Sequence, residues 1–212
     1  MAYLGRQESQ EIASDHIRTS KPSSHVLSNH KLDSNKQRNR TISILCVGDS
    51  LTAGVTVMGH SELNKPYAPF LQGFLRKNHT NNDHSITVTH KGIPGWTSVD
   101  LIRGKRGLDN LTTILSRPRN RNIDILVIMA GSNDIFRKTF LNYNISSRVE
   151  QLHKLAYKQG VPHTIAVGIP GSAIHSMDAN LSEQFTLLTK SLERFADSDR
   201  RATFAPFSFS FH

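Results

Sequence analysis

Three short stretches combine residue types that can do chemistry at a carbonyl centre. Gly48-Asp49-Ser50-Leu51-Thr52-Ala53-Gly54 places a serine hydroxyl, a nucleophile once a base removes its proton, directly after an apolar run. Ala130-Gly131-Ser132-Asn133-Asp134-Ile135 places an asparagine amide, a neutral donor suited to an oxyanion, after another apolar run. Gly92-Ile93-Pro94-Gly95-Trp96-Thr97-Ser98 puts glycines where a backbone N–H can enter a site with no side chain in the way. Taken singly, each reads equally well as ordinary punctuation. Ser, Asp and Asn are common helix caps, and Pro-Gly is a common turn. The first stretch is also not the Gly-x-Ser-x-Gly elbow of α/β-hydrolases, because Thr52 stands where that motif has its last glycine.

The elements that must position these stretches follow from hydrophobic periodicity. Ile42–Val47, Ile86–Thr89, Ile123–Met129 and His163–Gly168 read as strands, the third apolar almost throughout, as expected for a strand covered on both faces. Between them lie helical patterns. Ile145, Val149, Leu152 and Ala156 recur at spacings of three and four, with Ser147 and Glu150 at capping-box spacing and Gly160 placed as a stop. Leu181, Phe185, Leu188, Leu192 and Phe195 repeat the pattern, with Asn180 and Glu183 placed as cap and third helical residue. Strands alternating with helices imply an α/β three-layer sandwich with a mostly parallel sheet, flavodoxin-like. Sites in such sheets lie beyond the carboxyl ends of the strands, where all three stretches fall.

Taken together and in this order, Gly48-Asp49-Ser50-Leu51, then Gly95, then Gly131-Ser132-Asn133-Asp134 resemble the SGNH hydrolases, also called GDSL esterases and lipases. The resemblance runs from about residue 42 to 207 and includes Ile169-Pro170 after the fourth strand. It implies that Ser50 is the nucleophile of an ester hydrolase working through an acyl-enzyme. It further implies an oxyanion hole made of the Ser50 and Gly95 backbone N–H groups and the Asn133 amide. Gly48, Asp49, Gly131 and Asp134 occupy motif positions and are expected to shape the loops. No metal or organic cofactor is implied. The expected partner is a small-molecule ester, including lipid and sugar esters. The family acts on lipid, aryl, acetyl-sugar and thioester substrates, and specificity would sit in loops such as Thr56–Tyr67.

One family signature is missing. The Asp-x-x-His that would supply a general base and its orienting carboxylate occurs nowhere in the chain. After Ala202-Thr203-Phe204-Ala205-Pro206-Phe207, which resembles the family's last strand, only Ser208–His212 remain. The expectation is a C-terminally incomplete domain over 41–212 whose closing helix is absent. Its apolar residues Phe204 and Phe207 would be uncovered and open to self-association. Catalysis is expected to be weak or absent, because a serine hydrolase without its base retains only about 10³–10⁴-fold acceleration over water. His175, His60 and His212 are the histidines that could substitute, and each reads better as a solvated surface residue. Glu150-Gln151-Leu152-His153 has a related spacing but falls inside a helix expected to pack away from the site.

Composition narrows the remaining classes. Residues 1–40 are rich in Ser, Asn, Gln, Lys and Arg and read as a disordered basic tail; Glu8, Glu11, Asp15 and Asp33 argue against a transit peptide. No apolar stretch of signal-peptide or membrane-spanning length is present, so a soluble, cytoplasmic protein with no transmembrane segment is expected. The single cysteine, Cys46, lies in an apolar run and reads as a core residue. A formal charge of +9, with Arg103-Gly104-Lys105-Arg106 and Arg117-Pro118-Arg119-Asn120-Arg121, raises nucleic acid as a partner. No aromatic-interleaved signature accompanies the charge, so nucleic-acid binding is not expected. The stronger alternative to an enzyme is a non-catalytic binding module on the same fold, which the missing Asp and His favour.

Overall fold

The computed structural model describes residues 40–55, 60–78, 84–105, 107–137, 144–170 and 178–207. The tail ahead of Arg40, most of the Thr56–Tyr67 loop's first half, His175 and Ser208–His212 lie outside the described residues.

Among the described residues, five strands form one sheet in the order β2-β1-β3-β4-β5, and every neighbouring pair is parallel. They are β1 (Arg40–Gly48), β2 (His84–Gly92), β3 (Ile125–Met129), β4 (His163–Val167) and β5 (Ala202–Ala205). The α-helices among the described residues are α1 (Ser50–Ala53), α2 (Ala68–Asn78), α3 (Ser98–Arg103), α4 (Leu111–Ser116), α5 (Ser132–Phe136), α6 (Ile145–Lys158) and α7 (Ala179–Ser198). Helices cover both faces, as the alternation of strands and helices requires for a parallel sheet.

The larger core lies on one face. Leu45, Val47, Leu126, Ile128 and Ala166 of the sheet meet Leu101, Leu111, Ile114, Val149, Leu152, Leu188 and Leu192 of the helices. Burying each Val, Leu or Ile side chain of this set stabilises the fold by about 1.5–3 kcal/mol relative to leaving it exposed. On the other face, Ile44, Cys46, Ile86, Val88 and Val127 pack under Ala68, Leu71 and Leu75 of α2. Cys46 is fully buried there, and burial pushes its thiol up to about 11. Farther along that face Ile42, Ile125, Ile165 and Val167 are only partly buried. Phe204, expected to be uncovered, instead packs partly buried against the larger core, while Phe207 is 37% exposed.

Several boundaries differ from those the sequence suggests. β1 begins at Arg40, inside the expected tail, because Arg40 pairs with His84 and its guanidinium reaches Asp124 at 2.6 Å. β2 is longer than its apolar core because all nine residues stay in register with β1. β3 starts at Ile125, since the Asp124 carboxylate accepts from the Ser43 N–H at 2.8 Å. The cap of α6 is Asn144, whose side chain accepts from the Ser147 N–H at 3.0 Å, so Ser147 lies inside the helix. The cap of α7 is Asp178, which accepts from the N–H groups of Asn180 and Leu181. In both helices a short polar side chain a few residues earlier reaches the free N–H groups first.

Candidate functional site

The carboxyl ends of β1, β2 and β3 deliver the three sequence stretches to one region, because these strands are neighbours in the sheet. Gly48 closes β1 with no room for a side chain: a Cβ there would collide with the Met129 carbonyl and the Thr52 hydroxyl. Asp49 then caps α1, its carboxylate accepting from the Leu51 N–H at 2.9 Å. Ser50 becomes the first residue of that helix and is partly exposed. At this position its N–H has no intrahelical acceptor, as for any first-turn residue. Among the described residues neither the Ser50 nor the Gly95 N–H is taken up by another group.

The three loops are tied to one another by a set of buried polar contacts. Asp49 is 1% exposed and accepts from the Ser132 hydroxyl and, at 3.3 Å, from the Asn133 amide. Burial holds the Asp49 carboxyl above the usual carboxylate range, and the bonds from Ser132 and Leu51 offset only part of that. Asn133 also donates to the Trp96 carbonyl at 2.9 Å, which joins the β3 end to the β2 end. Asp134 is fully buried and takes both the N–H and the hydroxyl of Ser98 at 2.7 Å each. Arg148 of α6 stands 3.6 Å from the same carboxylate. Arg137 donates to the Gly95 carbonyl at 2.8 Å and pins the Pro94-Gly95 turn, in which Gly95 has φ of 75°.

Gly131 starts the β3 loop at φ 112°, a conformation only glycine adopts without strain. It turns the chain so that Ser132, Asn133 and Asp134 follow as the first turn of α5. Asp49 and Asp134 each accept hydrogen bonds from a residue of a different loop. Ser98, Ser132, Arg137 and Arg148 have no such part in the sequence reading. In the sequence, nothing separates Ser98 and Ser132 from ordinary turn residues, and Arg137 and Arg148 carry no signal at all.

Histidines are positioned less favourably. His60 is exposed and pairs with Glu62 at 2.9 Å. His153 lies buried on α6 against Thr164 and Phe195. His175 and His212 lie outside the described residues. Among the described residues no histidine or carboxylate is hydrogen-bonded to the Ser50 hydroxyl. Nor, among them, is any group of three His, Cys, Asp or Glu placed to hold a metal ion, and no helix is long and apolar enough to cross a membrane.

Chemically, the region holds a serine hydroxyl at the first position of α1, two backbone N–H groups with no acceptor among the described residues, and the Asn133 amide, which donates to Asp49 and Trp96. Such donors stabilise negative charge developing on an oxygen, at about 3–4 kcal/mol each.

Several solved structures of similar fold are esterases. Axe2, an acetyl xylan esterase from Geobacillus stearothermophilus, is 18% identical, with a TM-score of 0.55 over 79% of this chain and 77% of that one. Est24, a carbohydrate acetylesterase from Sinorhizobium meliloti, is 21% identical, with a TM-score of 0.56 over 78% of this chain and 83% of that one. Another carbohydrate acetylesterase family member from Sinorhizobium meliloti is 24% identical, with a TM-score of 0.55 over 78% and 82%. At these identities the likeness is one of fold. No curated protein sequence matches significantly. The sequence profile of the GDSL-like lipase/acylhydrolase family, by contrast, matches residues 46–210, which contain all three loops, and the chain belongs to that family.

Proposed function

We propose that this chain is a serine ester hydrolase in which Ser50 attacks the carbonyl of a carboxylic ester. The Ser50 oxygen bonds to the carbonyl carbon, the alcohol leaves, and water then releases the acid from the acyl-enzyme. The N–H groups of Ser50 and Gly95 bind the tetrahedral oxyanion. Asn133 joins them by giving up its longer bond, the 3.3 Å contact to Asp49, and keeping the one to Trp96. What supports this reading is that neither the Ser50 nor the Gly95 N–H has an acceptor among the described residues, while Asp49, Asn133 and Arg137 tie the strand-end loops together.

The rate is expected to be low. With no base on the Ser50 hydroxyl among the described residues, oxyanion binding alone supports catalysis, and that leaves about 10³–10⁴-fold over water. The same observation favours a second reading, a module that binds esters without turning them over. Turnover of a p-nitrophenyl ester by the chain and by Ser50→Ala separates the two. A rate that falls to background in Ser50→Ala supports the hydrolase; identical rates support the binding module. Rapid, stoichiometric labelling of Ser50 by a fluorophosphonate would show that a base does reach the hydroxyl, and would overturn the low rate while upholding the nucleophile.

A further inference from the structure

The arginine-rich stretch 117–121 has no part in the proposed ester chemistry, yet the fold gives it a defined place. Arg117, Arg119, His90 and Lys91 surround a hollow of about 150 Å³ whose floor is Leu45 and Ile114. His90 and Lys91 come from the end of β2, the edge strand, where Lys91 stands in register with Val47. The arginines come from the turn after α4, some 27 residues later in sequence, counting Lys91 to Pro118.

The turn is built rather than merely charged. Pro118 opens a single 3₁₀ turn over Pro118–Asn120. Asn120 is buried and donates to the Ile114 carbonyl at 2.7 Å, which fixes the turn to the end of α4. Arg117 is held by an ion pair with Asp109. Among the described residues no acid lines the hollow, and neither the Lys91 ammonium nor the Arg119 guanidinium has a hydrogen bond or ion pair. Like charges brought together repel one another even in water. A rigid hollow that collects such charges without an acid is matched to an anion. Guanidinium forks suit the oxygens of a tetrahedral one, with lysine adding a point charge.

We propose that this hollow is a binding site for a phosphate or sulfate group. It is separate from the three strand-end loops, since none of its lining residues belongs to them. The proposal does not depend on Ser50 being a nucleophile, and its test reads binding, not turnover.

Titrating the full chain with inorganic phosphate, and separately with sulfate, while following amide NMR shifts tests the site. Saturable shifts centred on Lys91 and residues 117–121 are expected. The Lys91→Ala/Arg119→Ala double variant should bind at least about tenfold more weakly, the loss expected from removing charge-assisted hydrogen bonds. Lys158→Ala, which removes an exposed charge from α6, should bind as the parent does. Shifts that never saturate, or an equal loss in Lys158→Ala, would reduce the effect to net charge and overturn the proposal. A single-stranded oligonucleotide that binds tightly and loses affinity equally on removal of Lys91, Arg119, Arg103 or Lys158 would also overturn it, in favour of an extended polyanion surface.

Discussion

Replacing Asp134 by alanine should cost about 3–5 kcal/mol of stability. The carboxylate is fully buried and receives two charge-assisted hydrogen bonds from Ser98, at 2.7 Å each. Such bonds contribute about 1.5–3 kcal/mol each. Removing the carboxylate also deprives Arg148, whose side chain is only 13% exposed, of the charge 3.6 Å away. Breaking one side of a buried pair typically costs about 3–5 kcal/mol, and the overlap of the two accounts sets the figure. Asp134→Asn should cost less. The amide oxygen can still accept the Ser98 N–H and the amide nitrogen can donate to the Ser98 hydroxyl, so chiefly the charge opposite Arg148 is lost. Urea unfolding at neutral pH measures both variants. Asp134→Ala and Ser98→Ala should be strongly non-additive, with a coupling of about 1–3 kcal/mol in a double-mutant cycle. A loss below about 1 kcal/mol in Asp134→Ala, or additive behaviour with Ser98→Ala, would refute the view that this contact fastens the β2 and β3 loops together.

Further outcomes follow from other residues. Burial lowers the pKa of His153 from 6.5 to about 4. The unfolded chain therefore takes up a proton that the folded chain refuses, and stability present above about pH 6.5 should fall by about 3 kcal/mol as pH drops to about 4. His153→Leu should flatten that part of the pH–stability curve, and an unchanged slope would show the buried ring is not its source. Gly131→Ala forces a Cβ onto φ 112° and toward the Leu188 side chain at 2.7 Å, so a cost of about 1–3 kcal/mol in thermal or urea unfolding is expected. Arg137→Met should leave stability within about 0.5 kcal/mol, as for an exposed residue, yet lower Ser50-dependent ester turnover about tenfold by freeing the Gly95 turn. Turnover equal to that of the parent chain would detach Arg137 from the site.

Much of the architecture is written in local pattern. The apolar runs of β1 and β3, the three-and-four spacing of α6 and α7, and the glycine-rich stretches after the strands depend on residues close in sequence. Parallel pairing follows from their alternation with helices. Ser50, Gly95 and Asn133 stand out as candidates for a related reason: each lies just past a strand, and strand ends meet in such a sheet. Caps were less legible. Asn180 and Asp178, or Ser147 and Asn144, are chemically interchangeable as acceptors, and only the path of the chain decides which meets the open N–H groups.

What tertiary structure alone decided is how the loops are joined. Ser132 meets Asp49 across 83 residues, and Ser98 meets Asp134 across 36. Arg148 reaches Asp134 because α6 packs beside α3, and Arg137 folds back from α5 onto Gly95. The arginine-rich turn, a plain charge run in sequence, acquired Lys91 as a neighbour through the sheet edge. Periodicity reports which face of an element is apolar, a property of neighbouring residues. A buried hydrogen bond between distant loops depends on strand order, register and the rotation of each helix, and residue type carries none of these until the core has packed.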